Sequence, residues 1–455
     1  MSLTNKDYIM ILSFLILVTL MIIINKIGTD FAWLSYNIDY YIKNGELKNV
    51  IFNTPSGWGA FFTYLSAQII NIIGEFSYLT AQFLNIIFSM LGIVFLYRLI
   101  FAITNDSYKT FFVISIYLLL GYGTGILSGT RPENIYISSM IMVVYSIYKH
   151  YHTNDYKYLY FGVLFAIFGA LSHPNGLVNF IILLIYGSLL VINSKINYKH
   201  LFILIFTVLV LFPMLLLFGQ SYEQFISSFL VIATDKGHTM PFYYEWLRYK
   251  NFIQYYNYLF IILFLGMFVM FNELIKNIKT DNTFVKTVNY SLIFIMLYLL
   301  FIGQKLEYYL SLYFPFIAIY LSIYKIEKIS VKYYAIITIV AIFTTILIKL
   351  PENEEFLKKI HLPSGRVNII ENIKNETKGK IVLAPIQTFF IFRKNSYFIP
   401  SQQFFHLNIE QNFDYFVIQI LLDKEKYEKK YNIKLTYKRS FVYNETQFNL
   451  FKVVR

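Results

Sequence analysis

The chain contains no cysteine among its 455 residues, and few of those residues carry charge. Without cysteine it has no disulfide, no thiolate nucleophile and no cysteine metal ligand. Charged residues make up 14% of the chain, whereas hydrophobic residues make up 57% and the mean hydropathy is +0.54. A soluble protein of this length would have to expose large apolar patches. The composition therefore excludes a soluble globular protein and predicts a polytopic membrane protein.

Basic residues outnumber acidic ones and give a net charge of +13. Most of them stand in short linkers between apolar runs, which is the pattern of the positive-inside rule. We therefore expect membrane lipid as a partner and no nucleic acid. The first apolar run is too long for a signal peptide and has no small-residue cleavage site, so we interpret it as a retained anchor.

Apolar runs long enough to cross a bilayer recur along the chain and predict about eleven transmembrane helices. The predicted spans are 8–27, 79–102, 111–127, 134–150, 157–171, 175–193, 201–218, 253–272, 286–303, 308–324 and 332–350. The stretch 59–74 is apolar but short, and we interpret it as an interfacial or re-entrant helix on the outer side. A count of eleven spans keeps most basic linkers on the inner side of the membrane. Counting 59–74 as a further span would place the linkers after it on the outer side, against the positive-inside rule.

From residue 351 the composition becomes polar, and the runs "KIVLAP", "DYFVIQ", "LTYKRSFVY" and "FNLFKVV" favour strands. The last two flank "NETQ" as a hairpin, and "LDKEKYEKKYN" favours a helix. The predicted fold class is an all-α polytopic membrane bundle with a small C-terminal soluble α/β domain. Residues 1–350 form the membrane domain, with outer loops 28–78 and 219–252, and 351–455 lie outside. We expect a multi-pass protein of a bacterial inner membrane with its site on the periplasmic side.

The stretch "GTDFAWLSYNIDYYIKNGEL" presents Asp30 and Asp39 among aromatic residues directly after the first span. Its middle predicts a helix that ends at Gly45, with Asp30 at the N-cap. A capping role for Asp30 and a solvated Asp39 would require no chemistry. The functional alternative is a pair of carboxylates that act at the membrane surface.

Two further polar motifs fall between predicted spans on the outer side. "SGTRPENIY" contains Arg131 and Glu133, and its Pro132 and Glu133 suit the first turn of a helix. An arginine at this depth tends to face a bundle interior or a water-filled cavity. "LSHPNG" places His173 before a Pro-Asn-Gly turn. A local ion pair and a hydrogen-bonded histidine are the structural alternatives.

The motif "GQKLEYYLSLYFPF" places Lys305 beside Tyr308 and Tyr309 between two spans. It fits an aromatic belt with a snorkelling lysine, or a lysine that neutralises a phosphate. The outer loop 219–252 adds the cations Arg248 and Lys250. A lipid phosphate that carries a sugar would need these groups together: cations for the phosphate, aromatic faces for carbon, and a carboxylate for the proton of an acceptor hydroxyl.

The order of these motifs resembles the GT-C superfamily of lipid-linked-sugar glycosyltransferases. It is most similar to the branch that contains the protein O-mannosyltransferases and the lipid A aminoarabinose transferases. "GTD" matches the acidic motif of the first outer loop, with Phe31 where that motif has a second acid. "TPSGWGAFFTYLSAQIINIIG" resembles the proline-containing interfacial helix that follows, and "QKLEYYLSLYFPF" resembles the late Lys/Tyr/Pro motif associated with lipid phosphate.

The resemblance implies transfer of a sugar from a polyprenyl-phosphate donor to an acceptor hydroxyl on the outer face, with inversion at the anomeric carbon. Asp30 would be the general base, and Asp39 or Glu133 could share that role. The predicted substrate-binding residues are Arg131, His173, Lys305, Tyr308, Tyr309, Arg248 and Lys250. The acceptor is a lipid, a glycan or a protein. Some members use a divalent cation, but the sequence offers no ligand set, so we predict no metal or other cofactor.

Other classes of function share part of this pattern. A polymerase or ligase of lipid-linked glycans would use the same lipid and cations but consume an oligosaccharide-lipid. A transporter or flippase would be expected to have discontinuous helices at the midplane and internal repeats, whereas these polar clusters lie at the ends of spans. A purely structural membrane protein is the remaining alternative.

Overall fold

A computed structural model describes residues 3–24, 29–49, 54–55, 60–127, 133–193, 205, 209, 213, 221–223, 242–256, 259–301, 307–325, 328–349, 365–393, 396–401, 413–419, 424–431, 433–443 and 446–454. The described chain separates into two compact units. One contains Met1–Ile22 and Phe83–Ile346, and the other contains Ile23–Gln82 and Leu347–Arg455.

The α-helices are numbered here in chain order. They are α1 Asn5–Ile24, α2 Thr29–Asn44, α3 Ala60–Ile73, α4 Tyr78–Ala81, α5 Phe83–Thr104, α6 Ser107–Leu118, α7 Glu133–Thr153, α8 Lys157–Ser172, α9 Val178–Ile192, α10 Trp246–Tyr256, α11 Leu259–Asn277, α12 Thr283–Phe301, α13 Phe314–Ile323, α14 Lys328–Lys349, α15 Gly365–Glu376, α16 Phe389–Phe392 and α17 Lys424–Tyr431. A π-turn follows α6 at Leu119–Gly123, and 3-10 turns precede α9 and α13 at Pro174–Leu177 and Glu307–Tyr313.

Five helical segments in the described part of the chain are long and apolar enough to cross a membrane. They are Asn5–Ile24, Phe83–Thr104, Asn175–Ile192, Leu259–Asn277 and Thr283–Phe301. At 1.5 Å of rise per residue, each covers most or all of a hydrocarbon core that is about 30 Å thick. The chain is therefore an integral membrane protein. The count of eleven spans stays a prediction, and span 201–218 lies almost wholly outside the described residues.

Buried amides hold the helices of the first unit together. The Asn134 side chain of α7 donates to the Asn85 carbonyl at 2.8 Å and to the Ser89 hydroxyl at 2.6 Å, both on α5. The Tyr122 hydroxyl of the π-turn donates to Asn134 Oδ1 at 3.1 Å. Lipid offers no hydrogen-bond partners, so such groups must be satisfied within the protein. One asparagine thus ties three segments of the bundle together.

The first helix is tied to the bundle by a buried carboxylate. Asp7 is fully buried near the start of α1 and accepts from the Thr4 backbone N–H at 2.8 Å and the Thr4 hydroxyl at 2.6 Å. Its other oxygen accepts from the Tyr97 and Ser107 hydroxyls, each at 2.7 Å. Thr4 and Asp7 form a variant of the capping box. Four donors offset the loss of hydration that burial imposes on the charge.

In the second unit, α2 begins at Thr29. It ends where Gly45 adopts a φ of +69°, and this end is the one that the sequence predicts. The Gly45 N–H donates to the Tyr41 carbonyl at 2.8 Å, which closes the last turn. Asp30 is therefore the second residue of the helix and lies in its first turn, whereas the sequence predicts it at the N-cap. A carboxylate in that turn is favoured by the helix dipole.

The C-terminal part of the second unit contains a mixed sheet. Its strands follow the two-residue strands β1 Lys48–Asn49 and β2 Thr54–Pro55, and they are β3 Ile381–Ala384, β4 Tyr397–Pro400, β5 Tyr415–Ile418, β6 Lys434–Tyr443 and β7 Thr446–Val454. The order is β4-β3-β5-β7-β6, in which β3 is parallel to β4 and β5, and the other pairs are antiparallel. The hairpin predicted around "NETQ" is confirmed as β6–β7. Strand β4 and helix α15 are elements that the sequence interpretation did not include.

The first outer loop and the C-terminal segment share one apolar core. Ile38 of α2, Ala67 of α3 and Phe76 lie in the same buried cluster as Val382 and Phe389. Helix α3 has 14 residues and buries one face, in agreement with a helix too short to span a bilayer. The two compact units therefore differ from the predicted domains 1–350 and 351–455. The reason is that α2 and α3 bury their apolar faces with the C-terminal segment.

Gly176 provides a test of packing in the first unit. A Cβ at this position would overlap the backbone carbonyl of Gly169 in α8, so alanine requires the turn to move. Overpacking of this kind costs about 1–3 kcal/mol. We expect the Gly176→Ala protein in detergent to cease to be monodisperse at a lower temperature than the wild-type protein when both are heated.

Gly123→Ala is the matched control, since a Cβ there meets its nearest atoms at 3.7 Å or more. Equal thermal behaviour of the two variants would contradict this packing.

Candidate functional site

Five ring side chains of the first unit come together near the ends of α7, α8 and α12. This ring cluster consists of Tyr136, His173, Tyr298, Tyr308 and Tyr309. The Tyr136 and His173 rings lie 5.4 Å apart, and the Tyr308 and Tyr309 rings lie 4.5 Å apart. The Tyr309 phenol lies near those of Tyr136 and Tyr298. The structure thus brings three of the predicted substrate-binding residues into one group.

Polar side chains line this ring cluster. The Tyr298 hydroxyl donates to Asn175 Oδ1 at 2.7 Å, and the Tyr136 hydroxyl lies beside Asn175 and Ser311. Asn175 and Ser311 are buried. The arrangement offers amide and hydroxyl groups among aromatic faces, which is the chemistry that carbohydrate hydroxyls and ring carbons require.

Glu133 is the first residue of α7 and is buried. This position confirms the predicted helix start, and its negative charge lies at the positive end of the helix dipole. Its carboxylate lies near the phenols of Tyr136 and Tyr309. The structure therefore places a predicted acidic residue beside the ring cluster.

His173 ends α8 and begins the 3-10 turn Pro174–Leu177. Its Nδ1 accepts from the Asn175 backbone N–H at 3.1 Å. Because Nδ1 is an acceptor here, the neutral ring carries its proton on Nε2. The turn predicted from "HPNG" is confirmed, and His173 contributes to it as a cap.

Arg248 of α10 is fully buried and forms an ion pair with Glu245. Its Nε donates to Glu245 Oε1 at 2.8 Å, and its Nη2 donates to Glu245 Oε2 at 3.3 Å and to the Leu299 carbonyl at 3.2 Å. The guanidinium carbon also lies 5.5 Å from the centre of the Tyr309 ring. Arg248 therefore lies beside the ring cluster, with its charge neutralised by Glu245.

The sequence interpretation did not include Glu245. The signal was present, because residues three apart on a helix are neighbours and "EWLR" places an acid three residues before Arg248.

Lys250 differs from Arg248 in its surroundings. It is exposed, and its ammonium lies 5.5 Å from the centre of the Trp246 ring.

Asp39 of α2 is buried in the second unit between two cations. Its Oδ1 accepts from Arg393 Nη2 at 2.7 Å, and its Oδ2 accepts from Lys43 Nζ at 2.6 Å. Arg393 also donates to the Phe76 carbonyl at 2.8 Å. Burial raises the pKa of the nearby Tyr36 phenol, and the charge of Asp39 adds to this effect. Tyr36 therefore keeps its proton throughout the physiological range.

Arg393 is a further residue that the sequence interpretation did not include. The only local signal is a single arginine at the end of the aromatic run "TFFIFR". A charged residue at the end of a buried run needs a partner, but the sequence does not indicate which carboxylate supplies it.

Arg131 and Lys305 lie outside the described residues, and for Asp30 the structure gives only its place in the first turn of α2. The catalytic roles of Asp30, Asp39 and Glu133 stay predictions. Among the described residues, no three histidine, aspartate or glutamate side chains come together as a metal site.

Known proteins with the same fold appear only when structures are compared. No protein-family model matches the sequence, and no curated protein matches it. The lipid A aminoarabinose transferase ArnT from Cupriavidus metallidurans, bound to undecaprenyl phosphate, aligns over 99% of this chain and 98% of its own, with a TM-score of 0.61 and 10% identity. Its apo state gives the same TM-score.

A second similar structure is the archaeal oligosaccharyltransferase AglB from Archaeoglobus fulgidus, in complex with an inhibitory peptide and a dolichol-phosphate. It aligns over 93% of this chain and 71% of its own, with a TM-score of 0.52 and 13% identity. ArnT and AglB both belong to the GT-C superfamily. At these identities the likeness establishes the fold, and this chain has the GT-C fold that the order of its motifs predicts.

Proposed function

We propose that this protein is an integral-membrane glycosyltransferase that uses a polyprenyl-phosphate sugar as donor. The observation that carries the proposal is the alignment of nearly the whole chain with nearly the whole of ArnT, a protein whose structure contains undecaprenyl phosphate. The dolichol-phosphate in AglB supports the same class of lipid. The acceptor is a hydroxyl group on the extracytoplasmic side of the membrane.

The reaction is a single displacement at the anomeric carbon. The acceptor oxygen forms a bond to that carbon as the bond to the phosphate oxygen breaks, and the configuration inverts. The acceptor hydroxyl gives its proton to Asp30, and the polyprenyl phosphate leaves with the bonding electron pair. General-base assistance of this kind contributes about 10²–10⁴-fold.

Lys305 and Arg131 are the cations that we assign to the phosphate. Arg248 is a weaker candidate, because Glu245 already occupies its guanidinium. Separating a buried pair of this kind costs about 3–5 kcal/mol. Lys250 is exposed, and its ammonium lies over the Trp246 ring. Binding of the leaving phosphate as its charge develops is the electrostatic contribution that accelerates transfer.

The ring cluster around Tyr309 is the surface that we assign to the sugar and the first prenyl carbons. Tyr308 and Tyr309 supply faces, and Asn175 and Tyr136 supply polar atoms beside them. Glu133 lies close enough to Tyr309 to interact with it, so it is the second acidic candidate for contact with substrate.

A polymerase or ligase of lipid-linked glycans is the second candidate. The AglB likeness favours keeping it, since that protein is an oligosaccharyltransferase. A transporter would move the lipid without breaking the bond between sugar and phosphate, so bond cleavage separates it from both enzymes.

A donor panel tests the proposed class of reaction. We expect the protein in proteoliposomes to release polyprenyl phosphate from at least one polyprenyl-phosphate monosaccharide, with product measured by thin-layer chromatography of radiolabelled lipid. Cleavage of a lipid-pyrophosphate oligosaccharide alone would instead indicate the ligase. Movement of intact lipid without cleavage of any donor would contradict both enzymes.

The base assignment is tested by Asp30→Asn. We expect kcat to fall about 10²–10⁴-fold, because the amide cannot accept the proton, while the KM for donor changes little. Asp155→Asn is the control, since Asp155 lies in the exposed turn before α8 and pairs with Lys157. A folded Asp30→Asn protein that binds donor and retains full transfer refutes the assignment.

A further inference from the structure

One buried ion pair in the second unit joins residues 354 positions apart in the sequence. The side chains of Asp39 and Arg393 are 6% and 13% exposed, and Asp39 Oδ1 accepts from Arg393 Nη2 at 2.7 Å. Burial makes such a pair sensitive to geometry, because a displaced partner leaves a charge without compensation.

Arg393 is held in a single orientation by its other neighbours. Nη1 donates to the Phe76 carbonyl at 2.8 Å, and the guanidinium carbon lies 4.1 Å from the centre of the Phe76 ring and 5.7 Å from that of Phe389. A planar guanidinium fits both the carboxylate and an aromatic face, which a lysine ammonium cannot reproduce. Arg393 is thus a fixed point to which Asp39 is attached.

The second cation that pairs with Asp39 is Lys43, and it contributes much less than Arg393 to fixing the position of α2. The Lys43 side chain is 59% exposed, and it lies one turn further along the same helix. An exposed pair within one helix adds little stability and does not tie that helix to another element. The contact that fixes α2 against the C-terminal segment is therefore the one with Arg393.

Helix α2 also carries the proposed base. Asp30 and Asp39 are nine residues apart, which corresponds to about 14 Å along the axis and about half a turn around it. The two residues consequently occupy positions on opposite faces of α2, and Asp39 belongs to the face that meets the C-terminal segment. Asp39 is therefore engaged in an ion pair, and Asp30 keeps the role of base that we propose for it above.

Two uncharged side chains, Tyr36 and Trp33, make further contacts from the part of α2 between Asp30 and Asp39. The Tyr36 ring meets the edges or faces of Phe389 and Phe398 at 5.7 Å and 5.9 Å. The Trp33 indole N–H donates to Asn49 Oδ1 at 3.1 Å. The ring contacts tolerate a small rotation or slide of the helix against the C-terminal segment, whereas the ion pair permits one register.

We propose that Arg393 is a positioning residue for sugar transfer. Its ion pair with Asp39 sets the rotation of α2 about its axis and its position along that axis, and thereby the place of Asp30. The proposal rests on the glycosyltransferase function proposed above. It gives the C-terminal segment a defined part in the reaction, because a general base acts only when its oxygen reaches the acceptor proton. A displacement of about 1 Å costs up to about 10²-fold in rate.

The test uses Arg393→Lys in the full-length protein, assayed with a donor that the wild type cleaves. Lysine keeps the charge, but it loses the guanidinium plane that donates to Asp39 and to the Phe76 carbonyl from separate nitrogens and lies over the Phe76 ring. We expect kcat to fall about 10- to 100-fold with the donor KM changed less than about twofold, since only the placement of the base is altered.

Arg439→Lys is the matched control, because Arg439 pairs with Glu376 at 2.9 Å in the same C-terminal segment and is more exposed. We expect its kcat to equal that of wild type. The exchange variant Asp39→Arg/Arg393→Asp should recover part of the lost kcat. Should Arg393→Lys fail to fold, Asp39→Asn/Arg393→Gln removes both charges and supplies the same comparison.

Hydrogen exchange separates this inference from the function on which it rests. We expect the backbone amides of 29–44 to exchange faster in Arg393→Lys than in Arg439→Lys. Unchanged exchange and unchanged kcat in an active enzyme overturn the positioning role alone. A wild-type protein that cleaves no polyprenyl-phosphate sugar overturns the proposed function, and with it the role of Asp30.

Discussion

A charge withdrawn from water must be met by fixed partners, and this constraint organises the described structure. Asp7 meets four donors, Arg248 meets Glu245 and the Leu299 carbonyl of α12, and Asp39 meets Arg393 and Lys43. In a chain that is 57% hydrophobic, few interactions are specific enough to fix one helix against another. These buried charges mark the points where α1, α10 and α2 are attached to their neighbours.

These ion pairs also reduce the number of charged residues that can be assigned to phosphate binding or to the role of base. Arg248 is engaged by Glu245, which leaves Lys305 and Arg131 as the cations that we assign to phosphate. Asp39 is engaged by Arg393, which leaves Asp30 as the proposed base. The charged residues that hold the fold are therefore distinct from those that we assign to the substrate. Both kinds occur in the predicted outer loops, and sequence position alone does not distinguish them.

Local features of the fold were predictable because local forces determine them. Gly45 ends α2 by adopting a positive φ, and Glu133 begins α7 after a proline. The β6–β7 hairpin follows from two alternating runs around a short turn. The core shared by the first outer loop and the C-terminal segment was not predictable. It depends on contacts such as Asp39–Arg393, and neither residue's local sequence identifies the other.

The most direct test of the account is a structure of the full-length protein with undecaprenyl phosphate bound in a lipid environment. The account predicts phosphate density within hydrogen-bond distance of the Lys305 and Arg131 side chains, with the prenyl chain leading toward lipid. A phosphate that lies remote from both cations, or at the opposite end of the transmembrane helices, would contradict the account.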